Sequence, residues 1–486
     1  GKYALGDISA RVRLKIKTRV PDEVYNTAKI TYRNTAKLTS TDVPASGVNS
    51  YESRATFGID GITKSGTVNP QQQKIKWTVG VDVKNQSIPA LKSYDLLVYG
   101  TTITLSTVTG IPSGITASSL TPSYNQKFIA NSFTGSGLTY NVIPIFSGGN
   151  RVADLLEVTG FSTTASNSYT FESKVLNPSI VLGNTTSWVT NNASLFSNNT
   201  RIAKAERRVD YISNIIEKSM IKRTSLSDPS SLVNSGKTNT KADGFNYEDK
   251  SVIYRIGVNA SNFDFTSLVD STEATLSPAI VTDSLPAGCV FDGIIPGSNL
   301  LIFSGTGGVR GAVTASSTTP TTVSGLTTNF VGNTATFTFD KLDQPYVILV
   351  KARPSSATLN TLFASNATTT ATNKATLSTS LWSAGASVQQ DATIVSNLLK
   401  KSLQSVETGL LRWTVEYNPY NLTGHGSTLK DVIPEGLEVR TNSSGTLSVG
   451  SGNVTISQMS LNTDGSLTKV SDITPVVGQN VEYDPL

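Results

Sequence analysis

Short runs in which apolar and polar residues alternate recur along the whole chain. Lys74-Ile-Lys-Trp-Thr-Val-Gly-Val-Asp-Val83 is one; Ser251 to Val258, Asn333 to Phe339 and Leu411 to Tyr417 are others. A period of two places every second side chain on one face, so each run predicts a strand with one buried side. Thr and Ser fill the outward positions, and Thr suits a strand because its branched side chain packs on the pleat. Many short strands with turn residues every 8–12 positions predict β-sandwiches. Only Arg201 to Arg223 competes as a helix, with Ile202, Ala205, Val209, Ile212 and Ile216 near helical spacing.

The strands belong to a repeat. Asp60-Gly-Ile-Thr-Lys-Ser65, Ser213-Asn-Ile-Ile-Glu-Lys-Ser219 and Ser396-Asn-Leu-Leu-Lys-Lys-Ser402 share a lysine signature, and each precedes a strand bearing an aromatic: Trp77, Tyr254 and Trp413. An aspartate with glycine five residues on then follows, at Asp95, Asp283 and Asp431. Trp77 to Asp95 and Trp413 to Asp431 both span 18 residues; Lys64 to Asp95 spans 31 and Lys401 to Asp431 spans 30. Paired asparagines close each unit: Asn184 and Asn191, Asn366 and Asn373, and near the N-terminus Asn26 and Asn34. The order lysine, aromatic, aspartate, asparagine divides the chain into four pieces. Residues 1–55 are the end of a first unit, 56–206 and 207–388 are complete units, and 389–486 begin a further one. The second complete unit is longer because a polar insertion, 224–250, separates its lysine from its aromatic strand.

Composition narrows the function. With 486 residues there is chain for about three or four domains of ordinary size. Only 15% of residues are charged, against about a quarter in most soluble proteins, and the net charge of +5 is too small and dispersed to predict a nucleic-acid partner. One cysteine, Cys289, excludes a disulfide scaffold; with one histidine, His425, it leaves almost nothing for a transition-metal site. Neither a metal nor a cofactor is expected. No apolar run reaches the roughly 18 residues of a membrane span, and the start at Gly1 lacks a signal-peptide pattern, as in a fragment of something larger.

Lysine, asparagine and a carboxylic acid together can make an amide. A neutral lysine amine attacks the asparagine carbonyl, the acid relays protons, and ammonia leaves. Burial supplies both requirements, lowering the amine's pKa and raising the acid's. The Lys-Ser opening strand, the Trp-Thr-Val strand, the Asp-x-Leu-Pro-x-Gly turn and the Asn-x-Ala closing strand resemble isopeptide-forming immunoglobulin-like domains of Gram-positive surface adhesins and pilins, including Cna-type collagen adhesins. The likeness covers nearly the whole chain; the turn at Asp283 fits best, and that at Asp95 lacks the proline. The resemblance implies an all-β chain of tandem Ig-like (Cna-like) sandwiches. It also implies Lys64, Lys218 and Lys401 as nucleophiles and Asp95, Asp283 and Asp431 as catalytic acids. Asn184 and Asn366 would be acceptors, with Asn26 serving the preceding unit; Asn34, Asn191 and Asn373 are the second choice. Lys222 and Lys400 compete for the lysine role in their copies.

Other features weigh less. Arg11, Arg13, Lys15, Lys17 and Arg19 share one face of an expected strand, reading as a basic solvent face. Gly305 to Gly311 reads as a loop without phosphate-binding context, and Cys289 as a small buried hydrophobe. The function expected is a non-enzymatic stalk or fibre on a bacterial surface, crosslinked within its domains. Its partners would be neighbouring repeats of a longer chain or copies of itself: the partial end units read as truncation of a longer repeat protein, or as the head of one copy completing the tail of the next. The alternative is an adhesin taking extracellular matrix or glycan through loops or a groove.

Overall fold

A computed structural model of the chain describes residues 15–16, 30–37, 50–57, 61–83, 88–162, 165–223, 228–265, 277–308, 312–364, 368–380, 382–396, 399–417, 429–439 and 454–474. The architecture is all-β, with two short helices among the described residues, Pro178–Val181 and Ser356–Ala364. The chain divides into two compact units: residues 1–69, 73–177 and 188–211, and residues 70–72, 178–187 and 212–486.

In the first unit a lysine strand (Ile62–Asn69) pairs with an aromatic strand (Lys74–Val81), followed across the sheet by Asn167–Val175 and Gln126–Phe128. The facing sheet runs Thr200–Ile212, an asparagine strand (Thr186–Ser197), an aspartate strand (Leu91–Val98), Asn150–Thr159 and Thr139–Ser147. Alternation explains the layering: Ile75, Trp77, Val79 and Val81 are buried while Lys76 between them is exposed. Phe171, Tyr169, Leu155 and Leu195 fill the interior with them.

The second unit repeats the plan. Its lysine strand (Ile216–Ile221) pairs with its aromatic strand (Ser251–Val258), then Tyr346–Pro354 and Leu300–Thr306. Its aspartate strand (Ala279–Ser284) lies between Thr334–Phe339 and an asparagine strand (Thr368–Thr379), with Leu326–Val331 and Trp382–Val395 outside. Beyond these sheets lie three hairpins: Ile30–Lys37 with Ser50–Phe57, Leu399–Glu407 with Leu410–Tyr417, and Ile456–Leu461 with Leu467–Ile473.

The competing helix over Arg201–Arg223 is instead the strands Thr200–Ile212 and Ile216–Ile221, with Ile202, Val209 and Tyr211 turned inward. Within the insertion Lys237–Thr238 adds to the lysine strand and Phe245–Asn246 to the aromatic strand. Together with residues 312–315 the insertion covers the outer face of the sheet, where Arg255 is buried. Arg255 Nε donates to Val233 O at 2.8 Å and Nη1 to Glu217 Oε1 at 2.9 Å, so burying that face strands no charge. Gly305 and Thr306, taken for a loop, end a strand paired with Thr314–Ala315. Cys289 is half-buried rather than enclosed, and burial pushes its thiol pKa up. Of the basic stretch Arg11–Arg19 only Lys15 and Ile16 lie among the described residues, exposed and outside any strand.

Candidate functional site

Strand register sets the geometry of each lysine. Lys64 lies opposite Val79, Lys218 opposite Ile256 and Lys401 opposite Val415, and the aromatic sits two residues before that partner on the same face. Each ammonium therefore rests near a ring. Lys64 Nζ is 5.0 Å from the Phe171 centroid and 5.7 Å from that of Trp77; Lys218 Nζ is 5.3 Å from Tyr254. In the first unit the ring needs room from the residue it opposes, Gly66. A Cβ there would stand 2.5 Å from Trp77 Cζ3.

The aspartate comes from the opposite sheet. Lys64 Nζ pairs with Asp95 Oδ2, and Lys218 Nζ with Asp283 Oδ1; all four side chains are fully enclosed. Desolvation lowers the pKa of Lys64 and of Lys218, and the attraction of the neighbouring carboxylate opposes it in each. Burial likewise raises Asp95 to about 6, against the pull of Lys64 and, more weakly, of Asn191. These are the directions a nucleophilic amine and a proton-relaying acid require.

The carboxamide that completes each cluster is on the asparagine strand. Asp283 pairs in register with Ala375, and Asn373, two residues earlier, shares that inward face; its Nδ2 donates to Asp283 Oδ2 at 3.4 Å. In the first unit Asn191 takes the corresponding place against Asp95. Asn191 and Asn373 are fully buried, and in both Oδ1 has no hydrogen-bond partner. Among the described residues Asp95 Oδ1 is also without a hydrogen-bond partner.

The first-choice asparagines are elsewhere. Asn184 falls in the second unit, at the head of its lysine strand, with φ at 55°. Its Oδ1 accepts from the backbone N–H of Ile215 at 2.9 Å and Ile216 at 3.2 Å, which is a structural cap. Asn366 and Asn26 lie outside the described residues. Asn34 is exposed, opposite Ser53 in the first hairpin. The competing lysines face outward: Lys222 is exposed, and Lys400 makes only a 3.6 Å surface pair with Glu416.

The third lysine has the same neighbours without the enclosure. Lys401 Nζ lies 2.5 Å from Asp431 Oδ1 and 5.2 Å from the Trp413 ring, but the two charged side chains are 37% and 38% exposed and Trp413 is 44% exposed. Two residues absent from the sequence reading join the first cluster. Gln126 Oε1 accepts from Asn191 Nδ2 at 3.3 Å and from Ser173 Oγ at 2.9 Å. Gln126 stands in a three-residue strand between turns, with no motif to mark it.

No family model matches this chain, and no curated protein does. Among solved structures it is similar to the collagen adhesin CNA from S. aureus, with 12% identity over 73% of this chain and 94% of that one, at a TM-score of 0.22. The Enterococcus faecalis MSCRAMM ACE gives 10% identity, 67% and 91% coverage, and 0.21. The collagen binding domain of the Erysipelothrix rhusiopathiae surface protein RspB gives 10%, 72% and 95%, and 0.20. Resemblance at that level leaves the chain's function to its own residues.

Proposed function

We propose that this is a non-enzymatic structural protein of a cell surface, a stalk or fibre of tandem sandwiches that crosslink themselves. Lys64 joins Asn191 with Asp95 as acid, and Lys218 joins Asn373 with Asp283 as acid. In each, the neutral amine adds to the asparagine Cγ, the new Nζ–Cγ bond forms and the Cγ–Nδ2 bond breaks. The aspartic acid passes one proton to Nδ2 and recovers one from Nζ, so ammonia is the only product released. The observation carrying the reading is the burial of a lysine, an acid and a carboxamide with an unpartnered oxygen together, twice. A buried ion pair of this kind is a weak stabiliser on its own, because desolvation offsets most of its attraction. As the reactants of a crosslink they have a purpose.

The crosslink would tie one sheet to the other within a unit. Pulling the chain ends then loads a covalent bond, not strand pairing. The amide has no redox liability, in keeping with a chain of one cysteine. Among the described residues no helix is long and apolar enough to cross a membrane. For Lys401 and Asp431 the same chemistry requires an Asn-x-Ala strand closing over them, from the remainder of that unit in a longer chain or from a second copy; Asn34-Thr-Ala36, exposed in its hairpin, is a strand of that kind on this chain. Intact mass tests the reading: one ammonia is missing for each bond, and a tryptic digest yields a branched peptide joining Lys64 to Asn191. A chain of full calculated mass refutes it. A boil-resistant ladder on a denaturing gel would report linkage between copies.

A further inference from the structure

The two enclosed clusters differ in how the carboxamide is held. In the first unit a fully buried chain of hydrogen bonds leads to it. Trp77 Nε1 donates to Ser173 Oγ at 2.8 Å, Ser173 Oγ donates to Gln126 Oε1 at 2.9 Å, and Asn191 Nδ2 donates to the same oxygen at 3.3 Å. An indole N–H can only donate, so Ser173 must accept from it and has its own hydrogen left for Gln126. Gln126 must therefore present its oxygen, and its Nε2 is anchored the other way, on Thr190 O at 2.9 Å. An oxygen at that point accepts the NH2 of Asn191 and repels its carbonyl. The polarity set by Trp77 thus fixes which way the Asn191 amide faces.

Register shows what occupies the same places in the second unit. Trp77 pairs with Phe171 and Tyr254 with Val350, which aligns Ser173 with Ala352. Phe128 pairs with Ser173 and Phe291 with Ala352, and two residues back along those strands Gln126 aligns with Cys289. Ala352 has no hydrogen-bonding side chain and the Cys289 thiol is only a weak donor and acceptor, so the chain is broken there; among the described residues the Asn373 amide donates to Asp283, at 3.4 Å.

We propose that Gln126, backed by Ser173 and Trp77, is a positioning residue for the first crosslink: by taking an N–H of Asn191 it fixes which way that carboxamide faces, where the Asn373 amide has only its 3.4 Å contact to the acid, so that the first bond forms faster than the one in the second unit. The inference rests on the crosslinking reading above. A carboxamide free to rotate by half a turn about its Cβ–Cγ bond presents its oxygen to the acid for part of the time, and in that orientation nitrogen cannot be protonated and leave. Fixing the orientation removes the unproductive population and aims the departing ammonia.

The test follows both bonds in one molecule. The full chain is synthesised in a cell-free system, quenched in acid at intervals, digested, and the joined peptides Lys64–Asn191 and Lys218–Asn373 are quantified by mass spectrometry. Gln126→Met, which keeps the bulk and drops the acceptor, should slow the first joined peptide about tenfold and leave the second unchanged. Ser173→Ala places there the residue already present at 352 and should slow it in the same direction. Gln126→Glu restores an acceptor oxygen and should recover most of the rate, which a loss of packing alone would not do. First-site rates equal to wild type in the Met and Ala chains overturn the proposal, as does a folded Glu chain no faster than the Met chain. Absence of both joined peptides from the wild-type chain is a different result and removes the crosslinking reading instead.

Discussion

Replacing Asn373 by alanine isolates the covalent bond from the charges around it. The Lys218–Asp283 pair stays in place, both side chains enclosed, and the only hydrogen bond removed is the 3.4 Å contact to Asp283 Oδ2. That contact accounts for about 1 kcal/mol at most. The proposed bond would close a loop from residue 218 to residue 373, and constraining the unfolded chain over about 155 residues is worth roughly 5 kcal/mol. For a domain of this size each kcal/mol moves the melting temperature by about 2–4 °C, so Asn373→Ala should lower the second unit's transition by roughly 10–20 °C. Scanning calorimetry measures the shift, and intact mass of the same sample shows the retained ammonia. A transition lowered by less than about 4 °C, the contact's share alone, would refute the loop-closure reasoning. So would a mass difference accounted for by the substitution by itself.

Four further outcomes can be checked. Asn184→Ala should leave the ammonia loss of both units intact, because its oxygen caps Ile215 and Ile216 instead of meeting a lysine; branched peptides quantified from that variant decide it. Gly66→Ala sets a methyl 2.5 Å from the Trp77 ring and should cost about 1–3 kcal/mol, read as a drop in the urea midpoint of the first unit. In unlinked Asn191→Ala, Asp95 titrates near or above about 6 in the folded unit against 3.8 unfolded, so the folded state holds the extra proton between those values. That contribution is complete below about pH 4 and lost as pH rises through about 6; stability relative to Asp95→Asn/Asn191→Ala should therefore fall over that window in urea titrations. Brief treatment of the Asn191→Ala/Asn373→Ala chain with an amine-acetylating reagent should modify Lys401 and spare the enclosed Lys64 and Lys218; equal labelling of the three would contradict their burial.

The lysine and aspartate columns are legible from sequence because strand alternation alone decides which side a residue faces, and both columns keep their spacing to an inward aromatic. The asparagine column is harder. Asn184 and Asn191, like Asn366 and Asn373, stand seven apart, and the sequence offers both members of each pair as strand positions; in the structure Asn184 precedes the strand that carries Asn191, with φ at 55°. The deciding signal is the alanine two residues on, present after Asn191 and Asn373 and missing after Asn184 and Asn366. Ala375 lies directly opposite Asp283, where a larger side chain would fill the space the acid and the carboxamide share. Gln126 and Ser173 were beyond sequence reasoning, since their roles come from a contact between strands 47 residues apart that carry no shared motif. The role of the insertion was out of reach for a related reason: nothing in its polar composition shows that Arg255, on the strand beneath, is buried against the Val233 carbonyl.

The three lysine clusters separate what spacing supplies from what enclosure supplies. Lys401, Trp413 and Asp431 reproduce the first cluster's interval to within one residue and bring the amine and carboxylate just as surely into contact. Yet more than a third of each charged side chain remains in water, where an ion pair of this kind is worth about 1 kcal/mol or less. Attack needs an amine shielded from water and a carboxamide within reach, and contact with the carboxylate supplies neither. What changes the chemistry at Lys64 and Lys218 is the second sheet, which removes water from the amine and delivers the carboxamide in the same movement. A strand that closes over Lys401 with an Asn-x-Ala face would do both at once. Reaction there is thereby conditional on correct assembly, and no separate catalyst is needed to enforce it.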